Sequence, residues 1–213
     1  MSAPAELPDV LPIFPLGGAI LLPRGRLPLN IFEPRYLQMV DDVLRSDHRL
    51  IGMIQPRVEG DRRRLYHIGC AGRLVAFSET GDGRYLISLR GISRFRLLDV
   101  RDGFTPYLRG QVAWDAFAAD TGAPETDPGL DRERLRALVG DYLGRLGIDM
   151  SLEELDDGED EHVINALAMV CPFPADEKQA LLEAPGLAAR RKALMALLEI
   201  HAHARNDEED RLQ

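Results

Sequence analysis

The hydrophobic periodicity of the chain changes once, near residues 115–130, and this change restricts the folds open to it. Before that segment the apolar residues come in short runs broken by Gly and Pro, or alternate with polar residues, as in β-strands. After it they recur every three or four residues, as on one face of an α-helix. The pattern predicts an α+β protein, β-rich first and a helical bundle second.

The predicted organisation divides the 213 residues into five parts. These are a disordered leader (1–9), a β-barrel part (10–114) with one helix at about 33–46, a linker (115–130), a helical bundle (131–204) and a disordered tail (205–213). The linker is predicted from its acidic, Pro-rich composition, and the tail from its density of charge. Short strands interrupted by Gly favour a small closed barrel over a sandwich.

Six segments of the first part are predicted to be strands. They cover residues 11–16, 27–32, 50–55, 66–78, 85–98 and 107–114. The first contains Pro12 and Pro15. Because proline cannot donate a hydrogen bond to a neighbouring strand, we expect residues 11–16 to form an edge strand.

Charge is divided unevenly along the chain. Residues 1–114 carry 16 arginines against 12 acids, a net of +4, whereas residues 115–213 carry 10 basic groups against 23 acids, a net of −13; together they give −9. Two parts with different surfaces are therefore expected. The acidic total argues against nonspecific binding to nucleic acid, which relies on clustered cations.

The sequence also predicts the compartment. Cys70 and Cys171 are far apart and neither belongs to a CxxC motif, which indicates two buried thiols in a reducing environment. Residues 1–10 lack the basic start and apolar run of a signal peptide. No stretch approaches 18 consecutive apolar residues. We expect a cytoplasmic protein with no membrane partner.

Three segments resemble one known family. The first, LPIFPLGGAILLPRGRLPLNIFEPRYLQMV at 11–40, matches the family at Pro15, Leu16, Leu22, Pro23, Pro28, Leu29, Phe32, Glu33, Pro34, Arg35 and Tyr36. GISRFRL at 91–97 and DEKQALLEAPGLAARRKALMALLE at 176–199 add support. Over residues 10–204 the chain is similar to the LON substrate-binding domain, the N-terminal domain of ATP-dependent Lon protease of the peptidase S16 family.

The resemblance implies a PUA-like β pseudobarrel followed by a C-terminal helical bundle. It also implies a module that binds unfolded or extended polypeptide segments, with an adaptor role in protein quality control and a protease or chaperone as further partners. The alternative is an RNA-binding PUA-like module, although this rests on analogy of fold and fold alone does not set function.

The catalytic parts of Lon have no counterpart in the sequence. ATP binding would need a GxxxxGK[ST] loop, whose backbone amides and lysine hold the phosphates. The chain has two lysines, Lys178 and Lys192, and neither lies in such a loop. HExxH and GxSxG motifs are also absent. The expectation is a stand-alone, non-catalytic module with no catalytic residue, no cofactor and no metal.

Six residues in two clusters are candidates for peptide or partner contact: Glu33, Arg35 and Tyr36, and Arg62, Arg63 and Arg64. The first cluster contacts a partner at the barrel–helix junction, or else Glu33 and Arg35 fix the junction by charge-assisted hydrogen bonds while Tyr36 packs. The second lies in a predicted loop before residues 65–66. It attracts acidic peptide or RNA, or is simply solvated.

Overall fold

The computed structural model describes residues 7–101, 103–148 and 158–204, with side chains to 202, in two compact units, Met1–Ala123 and Pro124–Gln213. The described elements of the first unit are β1 (Val10–Pro15), β2 (Arg26–Ile31), α1 (Pro34–Arg45), β3 (Leu50–Ile54), β4 (Pro56–Glu59), β5 (Arg62–Leu65), β6 (Ile68–Glu79), β7 (Tyr85–Arg101), β8 (Leu108–Ala113) and a 3₁₀-helix (Asp115–Thr121). Helix α1 falls within the predicted range of 33–46.

Six strands form one sheet in the order β2-β7-β6-β3-β1-β8, and a further β7–β8 pairing closes five of them into a ring. Strand β7 has 17 residues; residues 85–90 pair with β2 and residues 96–101 pair with β8. Register shifts in the β6–β7 and β7–β8 ladders bend these long strands. The β1–β3 pair is parallel and the remaining pairs of this sheet are antiparallel.

The core of the first unit lies inside this ring. Phe95 is fully buried there among Leu11, Ile13 and Leu97. Its ring fits because Gly69 has no side chain, since a Cβ at that position would lie 2.5 Å from a Phe95 ring carbon. On β7, a Cβ on Gly91 would overlap the carbonyl oxygen of Leu22, so only glycine allows the turn before β2 to lie against the strand.

The prediction that residues 11–16 form an edge strand is wrong, because β1 lies between β3 and β8. Both prolines are tolerated because the two ladders barely overlap along β1. Pairing with β8 covers residues 10–13, and pairing with β3 covers residues 13–15. Pro12 therefore lies before the β3 ladder begins, and Pro15 lies after the β8 ladder ends.

Residues 62–64 form part of a strand, so the predicted loop at this position is also wrong. Strands β4 and β5 make a separate two-stranded sheet, in which Arg57 lies opposite Arg64 and Glu59 opposite Arg62. Glu59 contributes to the hairpin through ion pairs with Arg57 (3.7 Å) and Arg64 (3.6 Å). The Arg64 contact joins the two strands, whereas the Arg57 contact lies within β4.

The structure divides the predicted linker, 115–130, between the two units. Residues 115–121 form the 3₁₀-helix of the first unit, where the Asp120 carboxylate is paired with Arg94 at 2.8 Å in the interior. Residues 124–130 belong to the second unit. There Asp127 forms an ion pair with Arg191 at 2.6 Å, and a Glu125 carboxylate oxygen accepts from the Leu187 backbone N–H.

The described helices of the second unit are α2 (Arg132–Arg145), α3 (Asp160–Val170), α4 (Ala175–Glu183) and α5 (Leu187–Ala204). Helix α2 begins at the Asp131 side chain, which accepts from the Arg134 backbone N–H. The apolar faces of the helices bury Leu135, Ile164 and Leu194 completely. Together with the sheet of the first unit, these helices confirm the α+β class.

The ends of the chain lie partly outside the described residues. Residues 1–6 of the predicted leader and the whole predicted tail, 205–213, are outside them. Residues 7–9 join the first unit: Leu7 packs against the core, and the Asp9 carbonyl accepts from the Val112 N–H at 2.8 Å. None of the helices in the described ranges is long and apolar enough to cross a membrane.

Candidate functional site

The junction between β2 and α1 carries the first predicted cluster. Helix α1 starts at Pro34, and the preceding Glu33 makes no capping bond with its side chain. Instead the Glu33 carboxylate accepts from Arg35 at 3.0 Å and 2.7 Å. The Arg35 guanidinium lies 4.5 Å from the centre of the Tyr36 ring. The structure therefore brings Glu33, Arg35 and Tyr36 together at the first turn of the helix.

Tyr36 differs from its two neighbours because it is buried. Its ring is tilted against Phe14 on β1, with the ring centres 4.3 Å apart. Burial raises the pKa of Tyr36, the Arg35 charge lowers it and the Glu33 charge raises it. The packing makes Tyr36 an anchor of α1 on the sheet. Glu33 and Arg35 remain about half exposed, so their charges are accessible to a partner.

The second predicted cluster lies on a different hairpin. Arg62, Arg63 and Arg64 are exposed on β5. Arg64 contacts Glu59, whereas Arg62 and Arg63 have no ion pair within the described part of the chain. None of the contacts described for these arginines involves the junction cluster.

Exposed apolar side chains lie on both sides of the sheet where β2, β7 and β6 extend beyond the ring, a feature the sequence did not indicate. Phe32 (63% exposed), Phe77 (41%) and Leu86 (47%), together with the half-buried Tyr85, make up what we term the apolar end. The register places Ile31 beside Tyr85 and Phe77 beside Ile87, on the side of the sheet where Ile31 and Ile87 are buried, so Leu86 lies on the opposite side. Phe32 directly precedes Glu33, so the apolar end adjoins the junction cluster.

Contacts within the apolar end hold its rings in place. Phe77 and Tyr85 meet edge to face, with 4.9 Å between ring centres. The Arg84 guanidinium lies 6.0 Å from the centre of the Phe32 ring. The Tyr85 hydroxyl donates to Asp41 of α1 at 3.1 Å, and this bond contributes after burial to the raised pKa of Tyr85. The exposed rings are therefore held on strands fastened to α1.

A cavity of about 220 Å³ lies elsewhere in the first unit, with walls from β1, α1 and the start of β8. In its wall the Tyr107 hydroxyl donates to Asp42 at 2.8 Å. Burial, followed by this bond, raises the pKa of Tyr107 to about 12, so the residue is a neutral donor at physiological pH. The other Asp42 oxygen accepts a hydrogen bond from the Gln38 side-chain amide at 2.9 Å. Both oxygens of this carboxylate therefore accept hydrogen bonds from within the protein.

Groups suited to metal binding are not assembled in the described residues, and the two thiols are poorly placed to react. No group of three or more His, Cys, Asp or Glu side chains within 7–101, 103–148 and 158–202 is arranged to hold a metal ion. Both cysteines are buried. Burial raises the pKa of the Cys171 thiol to about 11, only partly opposed by Lys178, so the thiolate is scarce at neutral pH.

The comparisons with known proteins identify the family. The model of the "ATP-dependent protease La (LON) substrate-binding domain" matches residues 10–199. The chain belongs to the LON substrate-binding domain family. This match confirms the resemblance drawn from the sequence and extends over nearly the same residues.

Among curated proteins, Lon protease 2 of Myxococcus xanthus is 29% identical over 202 residues, which is 91% of this chain and 24% of the relative. Lon protease 2 of Thermus thermophilus is 26% identical over 91% of this chain and 24% of its own length. The chain thus spans about a quarter of the length of these relatives, and it matches their N-terminal substrate-binding part rather than their ATPase or protease parts.

Solved structures show the same LON relationship. The Lon N-terminal domain protein from Xanthomonas campestris is 28% identical, with a TM-score of 0.60, over 88% of this chain and 97% of that one. The N-terminal domain of the Mycobacterium avium complex Lon protease has a TM-score of 0.63 at 16% identity, over 90% and 99% of the two chains, and supports the fold alone.

Proposed function

We propose that this LON-family chain is a non-catalytic module that binds unfolded or extended polypeptide in the cytoplasm. In this proposal the fold is a PUA-like pseudobarrel with a helical bundle. In the cell the module acts as an adaptor for a protease or chaperone. The observation that carries the proposal is the apolar end, where Phe32, directly after β2, and Leu86, on β7, expose large apolar side chains. Asn30, two residues before Phe32, lies directly opposite Leu86, which places these two exposed side chains near each other, and neighbouring exposed apolar groups commonly mark binding surfaces.

The six residues predicted from the sequence have different parts in this proposal. Glu33 and Arg35 adjoin Phe32 and offer one charge of each sign at the rim of the apolar end, whereas Tyr36 anchors the helix beneath them. The basic hairpin with Arg62, Arg63 and Arg64 is a separate accessory contact for acidic segments. Polar groups around an apolar centre provide specificity in most protein interfaces.

The binding test is a calorimetric titration of the full chain with a reduced, alkylated and therefore permanently unfolded protein. We expect micromolar affinity, weakened about tenfold when Phe32→Ser and Leu86→Ser are combined, because exposed aromatic and aliphatic anchors dominate interface energies. The matched control combines Leu98→Ser and Ile200→Ser, which remove exposed apolar side chains elsewhere and should leave the affinity unchanged. Equal weakening by both pairs, or no binding at high micromolar concentration, contradicts the proposal.

The non-catalytic part of the proposal has its own test. The purified chain is incubated with ATP and, separately, with an unfolded polypeptide. We expect no phosphate release, since neither of the two lysines lies in a GxxxxGK[ST] loop. We also expect no new peptide fragments. Hydrolysis that co-purifies with the chain through several separation steps contradicts this part.

A further inference from the structure

Three arginines from separate parts of the sequence form a row across the sheet. Arg26 on β2 lies directly opposite Arg90 on β7, and Arg90 lies directly opposite Arg73 on β6. Residues that face each other across a ladder project from the same side of the sheet. All three side chains are exposed, while the neighbouring Leu74 and Leu89 are buried on the other side. We call these three residues the arginine row.

The charges of the arginine row are not neutralised within the described part of the protein. Arg26, Arg73 and Arg90 make no ion pair or side-chain hydrogen bond there. No acid occupies the next outward positions in register on the three strands, which are Pro28, Ser88, Ala76, Asn30, Leu86 and Ser78. Like charges directly opposite one another destabilise a sheet, so the row represents an unfavourable arrangement in the free protein.

We propose that the arginine row selects acidic polypeptide segments. It contacts a cluster of carboxylates, while Leu86 and Phe32, farther along the same side of the sheet, contact an apolar side chain. Arginine guanidinium groups bind carboxylates through paired hydrogen bonds. Neutralisation of the arginine charges by these carboxylates relieves the repulsion within the row. This inference rests on the proposed polypeptide binding and specifies which class of polypeptide is bound.

The register defines the spacing of such a ligand. Strands are about 4.8 Å apart, so the row spans roughly 10 Å, the width of a small group of carboxylates. Leu86 precedes Arg90 by four residues along β7, a distance of about 13 Å at 3.3 Å per residue. An extended peptide covers the same length in about four residues. Between the two lie Pro28, Ser88 and Ala76, whose small side chains leave room for a peptide backbone.

The same features favour polypeptide over single-stranded nucleic acid. Nucleic-acid grooves combine cations with aromatic rings on which the bases stack. Here the positions next to the row are Pro28, Ser88 and Ala76, and the aromatic Phe32 lies six residues beyond Arg26. The net charge of −9 also opposes a long polyanion, whereas a short cluster of carboxylates interacts with the row locally.

The experiment is fluorescence anisotropy of the full chain with two labelled peptides. The first has three glutamates, a Gly-Ser-Gly spacer and a phenylalanine; the second has glutamines in place of the glutamates. We expect the acidic peptide to bind about tenfold more tightly, because exposed ion pairs are individually weak but three act together. The preference should be largely lost when Arg26→Gln, Arg73→Gln and Arg90→Gln are combined, and it should disappear at about 1 M salt.

A variant with the same loss of charge is the control. Arg96→Gln, Arg101→Gln and Arg109→Gln change exposed arginines of β7 and β8 outside the row, and the preference should persist in that variant. Equal loss in both variants overturns the inference, because net charge would then explain the preference. Tighter, row-dependent binding of an RNA oligonucleotide of matched charge also overturns it.

The two proposals fail in distinguishable ways. If the glutamate and glutamine peptides bind equally and the unfolded protein still binds, the inference about acidic segments is wrong while polypeptide binding stands. If no polypeptide binds, the proposed function fails, and the inference fails with it.

Discussion

Asp120→Ala should destabilise the first unit strongly, although the residue lies in a segment with the composition of a linker. The Asp120 carboxylate accepts three hydrogen bonds from Arg94: from its backbone N–H at 2.9 Å, from Nε at 2.9 Å and from Nη2 at 2.8 Å. The two side chains are only 4% and 5% exposed. The Arg94 guanidinium also lies 4.6 Å from the centre of the Phe117 ring, on the same 3₁₀-helix as Asp120.

The magnitude follows from burial. Removing one partner of a buried ion pair leaves the other charge without compensation and costs about 3–5 kcal/mol. Asp120→Asn keeps one acceptor oxygen and should cost less. Replacing both residues, as Arg94→Met with Asp120→Leu, should recover much of the loss because no unpaired charge remains. Asp115→Ala, an exposed position on the same 3₁₀-helix, should change the free energy of unfolding by less than about 0.5 kcal/mol.

The assay is urea unfolding followed by tryptophan fluorescence. Trp114 is the one tryptophan in the chain, and its ring packs edge to face on Phe95 in the core of the first unit, with 6.0 Å between ring centres. Its signal therefore reports the unit that contains Asp120. A loss below about 1 kcal/mol for Asp120→Ala would refute the argument from burial. So would a double variant no more stable than the single one.

Three further predictions concern packing, reactivity and charge. Gly91→Ala should prevent stable folding, because its Cβ would overlap the Leu22 carbonyl oxygen, whereas Gly81→Ala, with no atom near the added Cβ, should keep the wild-type urea midpoint; equal midpoints would refute this. Cys171, whose thiol pKa burial raises to about 11, should resist iodoacetamide at pH 8 until urea unfolds the second unit; mass spectrometry of the modified peptide detects early labelling, the contrary result. Arg90→Gln should stabilise the first unit by about 0.2–1 kcal/mol, since the central charge of the arginine row is removed; a lowered urea midpoint contradicts the repulsion.

Local sequence patterns predicted where the helices and strands lie better than they predicted which strands are neighbours in the sheet. The alternation of Tyr85, Ile87 and Leu89 indicated a strand with one apolar side, and Ile87 and Leu89 are buried on that side of β7. The position of β1 inside the sheet could not be obtained in this way. It depends on where the β3 and β8 ladders start and stop around Pro12 and Pro15, and both partners are distant in sequence.

Composition misled the interpretation where charged residues are paired. The run of arginines at 62–64 resembles a solvated loop, yet Glu59 pairs with Arg64 across the hairpin. The acidic segment 115–130 resembles a linker, yet Asp120 is buried against Arg94, 26 residues away. In both places the ion-pair partner lies outside the segment whose composition suggested a loop or linker: Glu59 precedes residues 62–64, and Arg94 precedes residues 115–130.

The candidate site was accessible to sequence reasoning only where its contacts are local. The pairing of Glu33 with Arg35 spans two residues, and the motif itself draws attention to it. The arginine row has no local signal, because Arg26, Arg73 and Arg90 become neighbours only through the ladders of β2, β7 and β6. Register depends on the whole sheet, and a shift of one residue would move each side chain to the opposite side.

The two halves of β7 are subject to different physical demands. Residues 96–101 pair with β8 and close the ring around Phe95, so substitutions there are limited by packing. Residues 85–90 lie between β2 and β6, where one side carries the arginine row and Leu86 in solvent. Sequences specify folds by consistency among local rules, and real proteins break those rules mainly at functional sites. On one side of this sheet, the arginine row breaks the rule that like charges are not placed opposite each other, and Leu86 breaks the rule that large apolar side chains are buried. This is why we propose that polypeptide is recognised there.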